Sequence, residues 1–421
     1  MKTSRVTLNL QIGSITGIFL ATGTAAQLAN APTLKDSYKK QFRVGVAINR
    51  SIATGEGSFN RSVEQVQKDI SLTKEQFNQI SPENDLKWSL IHPREGAEGY
   101  NFGPADAYVD FGVKNHMLIV GHTLVWHGQT PGWVFAATTP ADAAKTSVQT
   151  PPAQANGPGA MPRGGRPGRG FGGFDINAPH ATRDELLQRM REHIHTVVGR
   201  YKGKIKVWDV VNEAIADGGP EILRVSPWQQ IIGPDFIAKA FEYAHEADPR
   251  AILRYNDYGL ENPAKRLKLI ALIRDLQAKK VPVMAIGTQT HVNVSWPSFE
   301  VEDTTLTELE SLGLPIHVTE LDVNGAEGGQ RNSGADIANN AAATQGGLVD
   351  DANQRLANQY ANLFRAFAKH RSVKVVTMWG INDGVSWRAN GKPLLFDNND
   401  TPKPAFDAVI RAVKESSQNS N

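Results

Sequence analysis

Ile205-Lys206-Val207-Trp208-Asp209-Val210-Val211-Asn212-Glu213-Ala214 is the stretch whose reading decides the fold. Ile205, Val207, Val210 and Val211 make a compact, β-branched apolar run, set off upstream by Lys202-Gly203-Lys204. That length and composition predict a buried strand rather than a helix. The run stops at Asn212-Glu213, a polar pair where a core strand emerges from the protein. Catalytic side chains collect at the carboxyl ends of the strands in a parallel α/β barrel. Pro315-Ile316-His317-Val318-Thr319-Glu320-Leu321-Asp322 has the same form, a buried strand ending in a carboxylate. Two glutamates at the ends of two core strands point to acid–base chemistry on one substrate.

Outward from this stretch the chain alternates strand and helix. Strands are predicted over Phe42–Ile48, Phe77–Ile80, Met117–His122, Ile205–Val211, Ala251–Tyr255, Val283–Gly287, Ile316–Leu321 and Val373–Trp379. Apolar residues at helical spacing fill the gaps, as over Asp184–Val198, Asp235–Ala247, Pro263–Lys279 and Asn353–Lys369. Eight strands separated by helices predict an α/β fold of the closed (β/α)8, or TIM, barrel type. An open doubly wound sheet would show a glycine-rich turn after its first strand. Ala47-Ile48-Asn49-Arg50 is not one.

The composition is that of a globular protein: 421 residues, 40% hydrophobic and 21% charged. A formal net charge of +2 is too small to argue for a nucleic-acid or anionic-surface partner. Cysteine is absent, which excludes disulfides and thiolate chemistry. Met1-Lys2-Thr3-Ser4-Arg5 is positive, residues 12–26 are mostly apolar or small, and Thr24-Ala25-Ala26 resembles a cleavage site. A signal peptide over residues 1–26, and a secreted or periplasmic protein, is the expectation. Nothing else approaches the roughly 20 apolar residues of a membrane span. One catalytic domain is expected over residues 27–417, with a disordered tail at 418–421. Residues 136–181 and 325–351, rich in Gly, Pro, Ala and Asn, read as loose insertions after the third and seventh strands.

The residue types at the strand ends carry the chemistry. Glu83, Asn84, Lys87 and Trp88 follow the second strand, and His122, Trp126 and His127 the third. Asn212 and Glu213 close the fourth, Asn256-Asp257-Tyr258 the fifth, Gln289 and His291 the sixth, and Glu320-Leu321-Asp322 the seventh. Trp379, Asp383 and Trp387 follow the eighth. Aromatic faces stack on the apolar face of a sugar, polar groups bond its hydroxyls, and paired carboxylates cleave a glycosidic bond. Asp257, Asp322 and Asp383 are read as braces of the barrel mouth. A zinc site built from His122, His127, His291 and Glu320 is the competing arrangement, without HExxH-type spacing to support it.

Trp208-Asp209-Val210-Val211-Asn212-Glu213-Ala214 resembles the acid/base signature of family 10 glycoside hydrolases, the β-1,4-xylanases. Val318-Thr319-Glu320-Leu321-Asp322 resembles their nucleophile strand. Glu83–Trp88, Gly121–His127, Asn256–Tyr258, Gly287–His291 and Thr377–Gly380 match further blocks in the same order. Leu86 stands where the family has methionine, and the 136–181 insertion is longer than the family's usual connection. The resemblance runs from about Phe42 to about Val413. It implies retaining endo-1,4-β-xylanase activity on xylan and xylooligosaccharides, with no cofactor and no metal, and a monomer is expected. Glu320 would be the nucleophile and Glu213 the acid/base, their carboxyl groups roughly 5–5.5 Å apart. Glu213 should then hold its proton to the higher pH. Asn212 would bond the sugar 2-hydroxyl, His291 would orient Glu320, and Gln289 would lie beside Glu213. Lys87, His122, Trp126, Trp379 and Trp387 would wall the glycone subsite nearest the scissile bond. Glu83 and Asn84 would bind the next sugar, and Tyr258 would face the leaving group. A glycosidase trimming oligosaccharides or cutting another β-1,4-glycan, and a sugar-binding protein without chemistry, are the alternatives.

Overall fold

The computed structural model describes residues 32–137, 174–326 and 351–418. The expected signal segment, most of the two insertions and the last three residues lie outside them. Among the described residues nine parallel strands form: β1 (Arg43–Ile48), β2 (Gln79–Pro82), β3 (Leu118–Trp126), β4 (Val207–Asn212), β5 (Ile252–Asp257), β6 (Ala285–Thr288), β7 (His291–Asn293), β8 (Ile316–Asn324) and β9 (Val373–Met378). Their order is β6-β5-β4-β3-β2-β1-β9-β8-β7, and a β6–β8 pairing closes the ring. The eight strands of that ring, each with its helix outside, are the (β/α)8 barrel. None of the described helices is long and apolar enough to cross a membrane.

A ninth short strand, β7, adds to the expected eight without joining the ring. Gln289 and Thr290 separate it from β6, Thr290 adopting φ 56°. After the break, His291–Asn293 pairs with β8 two turns of pleat further up, His291 opposite Asp322. The interruption is what aims Gln289 and His291 into the mouth. Other bounds move as well. The second strand is Gln79–Pro82 rather than Phe77–Ile80, because Gln79 and Ser81 point into a polar barrel interior that apolar periodicity does not reveal. The third strand continues past His122 to Trp126, through a cis His122–Thr123 peptide and a register shift against β4. The described ends of the first expected insertion are packed rather than loose. Ala136 bridges His180, Ala181 is buried, and Phe174 packs against Phe135. The last helix, Pro404–Gln418, reaches one residue into the expected tail.

The quoted strand sits where its composition places it. Val207, Trp208, Val210 and Val211 are all buried. Trp208 lies so close to β3 that a Cβ on Gly121 would stand 2.1 Å from its ring, so only glycine fits there. Asp209, on the same strand, is buried in the barrel interior, where Arg254 grips it through Nε–Oδ1 (2.6 Å) and Nη2–Oδ2 (2.9 Å). His122 Nδ1 donates to the same carboxylate at 3.0 Å, and Arg254 Nη1 donates to His317 Nδ1 at 2.9 Å. Burial opposes the Asp209 charge, but Arg254 and then His122 hold its carboxyl down at about 2. Burial, with Arg254 beside it, pulls His317 down to about 3, so it accepts from the guanidinium as neutral imidazole.

Removing one partner of a buried pair leaves an uncompensated charge, which costs far more than the pair contributes. Arg254→Met should therefore destabilise the fold by about 3–5 kcal/mol, read as a lower urea midpoint. The double variant Asp209→Asn/Arg254→Met should lose less than Arg254→Met alone.

Candidate active site

Glu213 stands one residue beyond β4, in a left-handed backbone conformation (φ 59°) that a non-glycine residue adopts at a cost of about 1–3 kcal/mol. The surroundings over-determine it. Its N–H donates to Asn256 O (2.9 Å), and Arg224 Nε donates to its carbonyl (3.2 Å). The next two amides donate to Tyr255 Oη (2.9 Å) and Asp257 Oδ2 (3.2 Å). The buried carboxyl accepts from Trp126 Nε1 at Oε2 and from Gln289 Nε2 at Oε1, both at 2.9 Å. Burial pushes its pKa up to about 7; Gln289 and Arg224 oppose the rise, while Asp257 and Glu320 add to it. His127 Nε2 lies 4.0 Å from Oε2, and burial with Arg224 close by brings this imidazole down to about 3.

Glu320 lies on β8, also buried, with different neighbours. Asn256 Nδ2 donates to Oε1 at 2.8 Å, and His291 Nε2 sits 3.3 Å from Oε2. The other nitrogen of His291 faces Asp322 Oδ2 at 3.0 Å. Both ring nitrogens meet carboxylate oxygens, which accept only, so both carry hydrogen and the ring is an imidazolium. Burial opposes that charge, but Asp322 and Glu320 outweigh it and push the ring up to about 9. Asp322 in turn accepts from Trp387 Nε1 (2.7 Å) and Arg388 Nη1 (2.9 Å). Burial works against its charge, yet Arg388 and His291 hold the carboxyl below the usual range.

A single hydrogen-bonded chain joins the two glutamates. Gln289 Nε2 donates to Glu213 Oε1 and also, at 3.3 Å, to Asn212 Oδ1. Asn256 Nδ2 donates to that same Asn212 oxygen at 2.9 Å and to Glu320 Oε1. Thr319 Oγ1 fixes the Asn256 carboxamide from behind at 2.7 Å. A Cβ on Gly287 would stand 2.3 Å from Asn256 Oδ1, so a glycine is needed there as well. With its oxygen used twice, Asn212 has its amide N–H to offer a ligand.

The walls follow. Lys87 Nζ donates to Asn84 Oδ1 (3.1 Å) and lies 5.2 Å from the Trp126 ring centroid. Half-buried Glu83 has its carboxyl pushed up to about 7 by burial, with Lys87 opposing and Asp85 adding. Trp379 meets the rings of His122 (5.5 Å) and His291 (6.3 Å) edge-on, and Trp387 meets His291 at 5.1 Å. His122 is anchored through Nδ1 on Asp209, which leaves Nε2 to face a ligand. Tyr258 Oη donates to Asp217 (2.7 Å) and accepts from Arg224 (2.7 Å), while Lys265 Nζ lies 3.4 Å from its ring centroid. The thirteen residues given roles by the resemblance thus lie on the barrel strands or in the segments that follow their carboxyl ends. His122, His127 and His291 face Asp209, Glu213 and the Glu320–Asp322 pair respectively, and among the described residues no group of three or more His, Asp and Glu is placed to hold a metal ion.

The Glycosyl hydrolase family 10 profile matches residues 33–151 and 174–412. The chain belongs to this family. It is 36% identical over 388 residues to a β-1,4-xylanase of Dictyoglomus thermophilum, covering 90% of this chain and 91% of that one. It is 35% identical over 391 residues to an endo-1,4-β-xylanase of Geobacillus stearothermophilus, covering 91% and 99%. Among solved structures it is similar to a Thermotoga petrophila xylanase in complex with xylobiose, with TM-score 0.70, 32% identity, and coverage of 91% of this chain and 98% of that one.

Some members of this family 10 site carried no assigned role in the sequence reading. Asn256 lay within a quoted motif, but nothing in sequence shows that its amide bridges two strands. Arg388, Arg224 and Asp217 lie in loops whose sequence carries no periodic signal. The three braces read at the mouth are paired: Asp257 with Lys265 (3.0 Å), Asp322 with Arg388 (2.9 Å) and Asp383 with Lys403 (2.8 Å).

The electrostatics yield a direct expectation. The Glu213 carboxyl should titrate near pH 7 by carbon NMR. Its midpoint should move down in Glu320→Gln, because removing a neighbouring negative charge makes ionisation easier.

Proposed function

We propose that the protein is a retaining endo-1,4-β-xylanase, with Glu320 as nucleophile and Glu213 as acid/base. The observation that carries this reading is the asymmetry of the two buried glutamates joined by the Gln289–Asn212–Asn256 chain. Glu320 faces the His291 imidazolium and the Asn256 amide donor. Glu213 is held near pH 7 by burial and by two negative neighbours, as a proton donor must be. Family membership and xylanase relatives covering nine-tenths of the chain support the substrate class.

The reaction runs in two displacements. In the first, a Glu320 oxygen bonds to the anomeric carbon as the glycosidic C–O bond breaks. The Glu213 proton passes to the departing oxygen, which leaves as the free hydroxyl of the aglycone. In the second, Glu213, now a carboxylate, takes a proton from water, whose oxygen attacks the same carbon and expels Glu320. Two inversions leave the β configuration. Asn212 offers its amide to the 2-hydroxyl beside the reacting carbon, while Lys87, His122, Trp126, Trp379 and Trp387 enclose the sugar. Glu83 and Asn84 hold the next one, and Tyr258, locked by Asp217 and Arg224, lines the leaving-group side. His291, held by Asp322, orients Glu320 and keeps a positive charge against it.

Hydrolysis of unbranched β-1,4-xylan should release short oligosaccharides whose new reducing ends appear first as the β anomer. No products, or α anomer first, would overturn the assignment. Glu320→Ala should abolish turnover, and Glu213→Gln should lower kcat on xylan by about 10²–10⁴-fold. Activity should fall as pH rises through about 7, since Glu213 then arrives without its proton. Export is proposed from the Met1–Ala26 pattern, with a monomeric enzyme outside the cytoplasm; recovery of a mature chain beginning near residue 27 in periplasm or medium checks it.

A further inference from the structure

Among the described residues, Phe59 is the large aromatic side chain that stands clear of the protein, 95% exposed. Its position is specific. It lies in the segment between β1 and the helix Val63–Gln76, and so on the catalytic face, where loops follow the carboxyl ends of strands. In the barrel order β1 has β2 on one side and β9 on the other. The loop after β2 carries Glu83, Asn84 and Lys87, and the segment after β9 carries Trp379 and Trp387. Phe59 is therefore flanked on both sides by segments assigned to the glycone half of the cleft.

The segment is tied to both neighbours. Arg50, just after β1, donates to Asp85 through Nε (3.1 Å) and Nη2 (2.5 Å), and Glu83 N donates to Ile48 O (3.0 Å). On the other side Arg61 Nη1 donates to Asn398 O at 2.6 Å, while its Nε donates to Asp69 Oδ2 at 3.0 Å. Asn382 Nδ2 joins Asp69 (2.8 Å) to Asp400 (2.6 Å) and closes the link to the β9 side. Phe59 and Asn60 form the tip of a tight turn whose flanks pair through Ser58 N–Arg61 O (2.8 Å) and Arg61 N–Ser58 O (3.3 Å). The braced backbone of the turn has little freedom to lose when a ligand arrives, which favours a preformed binding platform.

Resting on the xylanase reading, we propose that Phe59 is the platform of a remote glycone subsite, on which a xylose unit beyond those held by Glu83 and Asn84 stacks. The π face is electron-rich and attracts the C–H hydrogens of a pyranose ring. A xylose ring, lacking a hydroxymethyl group, lies flat on it. The contact exists only for chains long enough to reach past the inner subsites, so it discriminates by substrate length.

The test compares kcat/KM on xylohexaose with kcat/KM on a chromogenic β-xylobioside, which fills the inner glycone subsites alone. Phe59→Ala should lower the hexaose-to-bioside ratio by about 3–10-fold, the worth of one stacked ring. It should also shift the cleavage positions on xylohexaose, and Phe59→Tyr should restore both. Leu267→Ala, which removes an exposed side chain on an outer helix, should leave the ratio where it was. An unchanged ratio in Phe59→Ala, or equal losses on both substrates, would overturn the subsite and leave the xylanase reading standing. A wild-type protein inert on every xyloside would overturn both.

Discussion

Two carboxyl groups are buried at the mouth of one barrel, and the rest of the site answers to that constraint. Like charges out of water repel strongly and cannot both ionise freely. The protein separates their fates by giving them different neighbours. Glu320 receives an imidazolium and an amide. Glu213 receives an indole, an amide and the field of two other carboxylates, and its proton stays bound to about pH 7. The Gln289–Asn212–Asn256 chain then sets where each oxygen points, so geometry and protonation are decided by the same few hydrogen bonds.

That arrangement transmits inward and outward. Below the mouth, Asp209, Arg254, His317 and His122 fill the barrel interior with a paired network instead of an apolar layer. The network anchors His122 from beneath while β3 and β4 shift register around it. Outward, Asp322 is the node that joins His291, Trp387 and Arg388. Through it the group that orients Glu320 and the tryptophan that walls the sugar are held by one buried carboxylate. Polar groups so deeply placed are tolerable because nearly every one has a partner.

Much of this was readable in the chain because short β-branched runs ending in a polar pair mark core strands wherever they occur. Ile205–Glu213 and Pro315–Asp322 announced both glutamates and their positions at strand ends. What failed to read were places where polar residues face inward, as with Gln79 and Ser81 on β2, or where backbone geometry breaks a pattern. Gln289 and His291 read as residues that follow one strand; only the pairing of His291–Asn293 with β8 shows that a second begins. Asn256 stood in plain view within a motif, yet its bridging role needed Asn212 and Glu320, respectively 44 and 64 positions away, to be brought within hydrogen-bond distance.

The sequence by itself determined the barrel, the identity of the two carboxylates and the aromatic and amide character of the cleft. Each of these depends on local residue type and period, which the chain carries regardless of how distant parts meet. Tertiary structure alone decided which neighbours hold the Glu213 proton to about pH 7, which histidine becomes a cation and how Asn256 bridges the two glutamates. Those depend on burial and on charges brought together from separate strands, and neither quantity exists until the barrel closes.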